Sequence, residues 1–301
     1  MPVDFVQIGL RLKAHRLGAG LSPEEAADRL GVSRAALYNY ERGSTPIKVE
    51  TLERMAEILG VSLPSLLGAG TEYFSTAIAY FERLRQLEAQ SERITLFYEP
   101  ITFLLTSEDF SRTLRVMLIE GLPATVAERA RAVDDIDRLL VVLEQRRSVL
   151  TPGGPTIAGL IGLTEVRRLL RTGLIGTYTL NDKQREARRL LARQEVERTA
   201  ALMEKEPLGM QTGVIDDTVP NQTFEICRLR DRTSLVAISP FRLGELPNVR
   251  LGVASITAAA DAVELYERLV TTMWQRAAKG AAGAAMLRRA IAELKKRAHS
   301  S

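Results

Sequence analysis

Histidine and cysteine are almost missing from this 301-residue chain, which has two histidines, His15 and His299, and one cysteine, Cys227. An internal disulfide is therefore excluded. A zinc site of Cys and His is implausible with so few such ligands. A Ser-His-Asp or Cys-His relay would have to use one of two poorly placed imidazoles, and His299 sits in a terminal tail. Phosphodiester chemistry based on paired His-x-Lys motifs finds no such motif. Carboxylate or lysine catalysis survives this count, and Asp216 and Asp217 are adjacent carboxylates. Neighbours on a strand point to opposite faces, however, so they make no acid/base pair. The expectation is a protein that is not an enzyme, with no metal and no cofactor. Cys227, inside a strand-like segment, is expected to be a buried inert thiol rather than a redox sensor.

Long apolar runs are also lacking, and none approaches the roughly 18 residues of a membrane span. The first residues do not show the basic-then-apolar order of a signal peptide. With one cysteine, this predicts a cytoplasmic protein that does not engage a membrane. The formal net charge of +4 says little about partners. The first seventy residues hold as many acids as bases, whereas Arg276, Lys279, Arg288, Arg289, Lys295, Lys296 and Arg297 face only Glu293 near the end. Any case for nucleic acid must rest on where charges sit locally.

What is present begins with five short helical patterns. Ile8, Leu12 and Leu17 mark one apolar face, and Gly18-Ala19-Gly20 breaks it. Ser22 reads as an N-cap, with Pro23 at the first helical position and Glu25 completing a capping box. Gly31-Val32-Ser33 is a turn into a third helix reaching about Arg42, ended by Gly43. Leu52, Met55, Ala56 and Leu59 keep helical spacing in a fourth. Gly60-Val61-Ser62 then turns into a short fifth helix ending at Gly68.

These elements, in order and at this spacing, resemble the Cro/C1-type (XRE) helix-turn-helix family over about residues 8–67. The resemblance rests on Ile8-Gly9, Arg16, Leu21-Ser22, Glu24-Glu25-Ala26-Ala27, Leu30-Gly31-Val32-Ser33-Arg34, Leu37, Tyr40-Glu41-Arg42-Gly43 and Leu52 to Val61. Physical reasoning agrees with it. The third helix would enter the major groove by its N-terminus. Leu37 and Tyr40 would face the core, leaving Arg34, Ala35, Tyr38 and Asn39 outward. Arg34 can fork onto guanine, Asn39 can meet adenine or a phosphate, and Ala35 can touch a thymine methyl. The N-termini behind Ser22 and Ser33 can hold phosphates, and Arg42 and Lys48 suit the same role. The resemblance gives Arg16 and Glu41 a different job, an internal ion pair. It also often has Gln where this chain has Pro23, so that phosphate contact is lost or passes to Ser22. An interaction module that binds protein instead of DNA is the competing reading, favoured by the acidic second helix.

The remainder is harder to read. Residues 71–91 are expected to be a linker or dimerisation helix, its stripe Phe74, Ile78, Phe81, Leu84 and Leu87 pairing with a symmetry mate or packing into the chain's own core. Residues 92–280 are expected to be an α+β regulatory domain: helices over about 92–105, 108–119, 124–148, 156–172 and 181–205, then a small antiparallel sheet over 211–216, 223–229, 234–239 and 249–256. The helix 181–205 reads as a solvated surface helix. Helix 259–278 follows, with Trp274 as a packing anchor, and residues 281–301 form a basic C-terminal helix or tail. Arg242 and Arg250 either receive an anionic ligand, in a pocket between the helices and the sheet, or form surface ion pairs.

The fold expectation is thus a mainly α five-helix N-terminal domain plus an α+β C-terminal domain with an antiparallel sheet. The functional expectation is a sequence-specific transcriptional regulator of double-stranded operator DNA. It would be a homodimer, with a small-molecule effector. Three other readings remain: an antitoxin-type repressor, which is usually a shorter chain, an enzyme with a DNA-binding appendage, and a self-cleaving repressor, for which no Ser/Lys dyad was identified.

Overall fold

A computed structural model describes residues 4–125, 128–148 and 153–298, without the side chains of 295–298. His299, Thr151 and Pro152 lie outside the described residues, and so do the side chains of Lys295, Lys296 and Arg297.

The N-terminal unit consists of α1 (Phe5–Gly18), α2 (Pro23–Leu30), α3 (Arg34–Glu41), α4 (Val49–Leu59) and α5 (Leu63–Leu67). Each of α2, α3 and α5 starts at a serine whose hydroxyl accepts from the third backbone N–H beyond it, the N-cap arrangement expected for that residue type. Ile8, Leu12, Leu30, Leu37, Leu52, Met55 and Leu66 close a core separate from the rest of the chain.

The C-terminal region is organised on one eight-stranded mixed sheet, in the order β1-β7-β6-β5-β2-β3-β4-β8. Its strands are β1 (Thr71–Phe74), β2 (Ser91–Tyr98), β3 (Thr156–Gly162), β4 (Met210–Ile215), β5 (Thr223–Leu229), β6 (Ser234–Ser239), β7 (Ala254–Thr257) and β8 (Ala278–Lys279). The sheet is not purely antiparallel: β2, β3 and β4 run parallel. Crossovers through α7 (Phe110–Glu120), α8 (Arg129–Arg147), α9 (Leu163–Thr172) and α10 (Asp182–Lys205) connect them, as parallel neighbours require.

Residues 92–98 therefore lie in β2 rather than in an α-helix, with a short 3-10 turn following at Phe103–Leu105, and 156–162 form β3. Both are inner strands. From Ile94 to Tyr98 every side chain is buried, so the polar alternation that identifies a half-exposed strand is missing. Gly159 and Gly162 further weaken the strand pattern of β3.

Alternate side chains feed two cores. Ile94, Leu96, Ile157, Ile161, Val214 and Cys227 face the layer containing α6 (Ala77–Gln90), α8, α9, α10 and α12 (Gly280–Ala298). Phe97, Leu160, Ile215, Phe224 and Val236 meet Met273 of α11 (Ala260–Arg276) on the other face. Residues 71–91 are not a free linker. They form β1 and α6, and Phe74, Phe81, Leu84 and Leu87 are buried in the chain's own core. The helix α10 is not wholly a surface helix, since Ala192, Val196, Ala200 and Met203 pack inward. Nor is α12 a loose tail, for Ala284, Leu287 and Ala290 are buried and Arg288 is paired with Glu197 and Glu204 at 2.8 and 2.9 Å.

The N-terminal unit is seated on this layer. Gly18 lets α1 approach α6, where an added Cβ would lie 2.5 Å from that of Ala79. Beneath the contact, Glu72 of β1 accepts from Arg11 of α1 (2.8 Å) and Arg83 of α6 (3.0 Å). Burial alone would raise the Glu72 pKa, but Arg83 and Arg11 hold it below the ordinary carboxylate value.

Candidate nucleic-acid interface

The exposed row on α3 follows from its helical period. Leu37 is buried and Tyr40 half-buried, while Arg34, Ala35, Tyr38 and Asn39 are exposed. Arg42 and Lys48, beyond the C-terminal end of α3, are exposed as well. The Arg42 guanidinium lies 5.4 Å from the Tyr38 ring centroid, which orders both side chains at that end of the row. Asn39 Oδ1 accepts from the Ser44 hydroxyl at 3.4 Å, leaving its amide donors free of this bond. Arg34 is paired with Glu24 of α2 at 2.8 Å in an exposed position.

Behind this row, α3 is fixed to α1. Arg16 donates to both carboxylate oxygens of Glu41 (2.5 and 3.0 Å) and to the carbonyl of Leu21 (2.9 Å). Arg16 and Glu41 are thus turned inward, away from the exposed row. Gly9 sits where α1 crosses α3; a Cβ there would collide with the carbonyl of Tyr40.

The two helix N-termini differ. At α3 the Ser33 hydroxyl caps Ala36 N–H (3.1 Å) with no acid in the first turn. At α2 Ser22 and Glu25 form a reciprocal capping box (2.8 and 3.1 Å), with Glu24 beside them. The backbone and side-chain hydrogen bonds from Ser22 hold the Glu25 carboxyl below its ordinary pKa. A phosphate at Ser22 would meet these carboxylates, so the α3 terminus is the better anion site.

Residues 7–67 match the family described as a helix-turn-helix domain. This segment is a helix-turn-helix domain. Among proteins similar to it, the SPbeta prophage-derived HTH-type regulator YonR of Bacillus subtilis is 41% identical over 59 residues, covering 20% of this chain and 55% of YonR. The HTH-type transcriptional regulator ImmR of the same species is 36% identical over 63 residues, 21% of this chain and 50% of ImmR. An HTH-type transcriptional regulatory protein of Sulfurisphaera tokodaii is 40% identical over 57 residues, 19% of either chain. The chain thus spans between a fifth and about half of the length of these relatives. No solved structure matches the chain.

Outside the helix-turn-helix domain, the two arginines assigned to one pocket lie in different places. Arg242 is paired with Glu99 at 3.3 Å, beside a small cavity of about 80 Å³. Arg250 lies on a cleft of about 630 Å³ between the helix-turn-helix domain and the sheet region. Asp216 and Asp217 follow β4 and are paired separately with Arg167 (3.4 Å) and Arg276 (3.3 Å). Cys227 is buried, and burial pushes its thiol pKa well up. Trp274 is half-buried on α11, with the Lys279 ammonium 5.1 Å from its ring. Sequence reasoning missed Arg131 and the apolar wall of the cleft. No local motif marks them, because the cleft combines residues from widely separated segments.

Proposed function

We propose that this protein is a sequence-specific DNA-binding transcriptional regulator, acting in the cytoplasm without catalysis of its own. The observation that carries the reading is the exposed row Arg34, Ala35, Tyr38 and Asn39 on a helix held from behind by Arg16 and Glu41. In it, α3 lies in the major groove, Arg34 and Asn39 read base edges, and Arg42, Lys48 and the Ser33 terminus hold phosphates. The names of YonR and ImmR support the regulatory role.

A single module of this kind buries about 600–1,000 Å² on DNA. Useful affinity then calls for a homodimer on two half-sites about one helical turn apart. The stripe on α6 is already buried, so the dimer contact lies elsewhere. Selection of binding sequences from random duplex DNA, with sedimentation of the free protein, tests both parts. A palindromic consensus and a dimer are expected; no enriched sequence would overturn DNA reading, and a clean monomer would overturn the dimer.

The sheet region, which makes up most of the chain, is proposed to sense a small molecule and to relay its presence through the α1–α6 contact. The buried Arg11–Glu72–Arg83 group joins the two regions there and gives that contact a defined geometry.

A further inference from the structure

The cleft at the domain junction has two unlike walls. One is the C-terminal end of α1 and the turn that follows it, from Leu17 to Gly20. The other is supplied by α7, α8 and the segment before β7. Leu118, Leu122, Ile136 and Leu139 give it an apolar surface, and all four are buried. Arg131, Asp135 and Arg250 are charged side chains on the same cleft.

The charges are not balanced. Asp135 is engaged by Arg138 at 2.9 Å. Among the described residues Arg131 has one ion pair, an exposed pairing with Glu128 at 3.3 Å, a kind worth little in water. Arg250 forms no ion pair among the described residues, and its loop is fixed by Asn248, whose Oδ1 accepts from Arg250 N–H (3.3 Å) and Leu251 N–H (3.0 Å). Apolar lining with a few fixed polar groups, at about 630 Å³, falls within the usual range of small-molecule sites.

A second cavity of about 380 Å³ shares Gly18, Ala19, Ser75 and Thr76 with the first. His15 and Ser65 line it, and His15 Nε2 and Ser65 Oγ are buried without a hydrogen-bond partner. Buried polar atoms are normally satisfied, so this side of the junction can receive polar atoms from a guest.

We propose that the cleft binds an amphipathic organic monoanion. Its apolar body lies on Leu118, Leu122, Ile136 and Leu139, and its charged group meets Arg250 and Arg131. The proposal names the effector class for the regulator described above and rests on that reading for its role, although binding itself does not require DNA. Because α1 and α8 both line the cleft, a ligand in it bears on how the helix-turn-helix domain is held against the sheet region.

The test uses the full chain without DNA, so its outcome is independent of whether α3 reads DNA. The probes are 8-anilinonaphthalene-1-sulfonate and its uncharged counterpart N-phenyl-1-naphthylamine, followed by fluorescence. One saturable site per chain is expected for the sulfonate. Arg250→Ala should weaken it about tenfold or more, the scale of a lost charge-assisted hydrogen bond, while leaving the uncharged probe unaffected. Ala132→Trp, on a half-buried cleft position of α8, should block both probes, and Val249→Trp fills the cleft from the segment before β7. Circular dichroism identifies a variant that fails to fold, in which case the other decides. Sulfonate binding that persists in a folded cleft-filling variant, or that Arg250→Ala leaves unchanged, would overturn the proposal.

Discussion

Arg16 and Glu41 meet in a two-pronged ion pair, at 2.5 and 3.0 Å, that joins the first helix to the end of the third. Both side chains are about nine-tenths buried. Removing one partner leaves the other charge buried and alone, which costs about 3–5 kcal/mol. Glu41→Ala should therefore lower stability by about that amount in chemical denaturation. A loss below about 1 kcal/mol would place the pair among weak surface contacts.

The pair Arg34–Glu24 has the opposite character. It is exposed and contributes roughly 0–1 kcal/mol, yet it holds the guanidinium assigned to guanine and puts a carboxylate beside the phosphates. Glu24→Gln is expected to strengthen DNA binding several-fold at low salt, with little effect on the melting temperature. Fluorescence anisotropy across a salt series measures this; weaker binding would mean that Glu24 orients Arg34 productively.

His15 gives a pH dependence with a definite sign. Burial, the largest cause, lowers its pKa from 6.5 to about 4, and its ring stacks on Phe74 at 5.0 Å. The folded state holds this imidazole neutral, whereas the unfolded chain takes up a proton below pH 6.5. The stability it permits is complete above pH 6.5 and falls as pH drops toward 4, by about 2 kcal/mol at pH 5. Denaturation at pH 7 and pH 5 should show that fall, and His15→Gln should flatten it. An equal slope in the variant would assign the effect to other groups.

A second buried ion cluster lies within the sheet region. Arg146 donates to Glu88 at 2.6 and 2.9 Å and has Glu225 at 3.6 Å. Burial, with Glu88 nearby, raises the Glu225 pKa. Arg146→Met should therefore destabilise by about 3–5 kcal/mol, while Glu225→Gln should stay within about 1 kcal/mol of the parent at neutral pH. Equal losses in the two variants would contradict the raised Glu225 pKa.

The helix-turn-helix domain was legible because each of its signals is local. Ser22, Ser33 and Ser62 announce helix starts, Gly31, Gly60 and Gly68 end them, and 3.6-residue spacing separates Leu37 from Tyr38 and Asn39. The strands β5 and β6 were legible from Val, Ile, Phe and Thr between clear turns. β2 and β3 were not, because inner parallel strands bury both faces and β3 carries two glycines. The stripe Phe81, Leu84 and Leu87 was visible, but a sequence does not say whether such a face meets a partner or its own sheet. Arg242 and Arg250 were recognised as arginines able to meet an anion; only tertiary structure separates the one paired with Glu99 from the one on the junction cleft.

Base reading by α3 depends most directly on Arg34, whose side chain is exposed. The direct measurement is the affinity of the full chain and of Arg34→Ala for the selected sequence and for a scrambled duplex at fixed salt. The prediction is that Arg34→Ala loses about 1–3 kcal/mol on the selected sequence, so that its preference over the scrambled duplex disappears while its fold is unchanged. Equal preference in the two proteins would contradict base reading by Arg34.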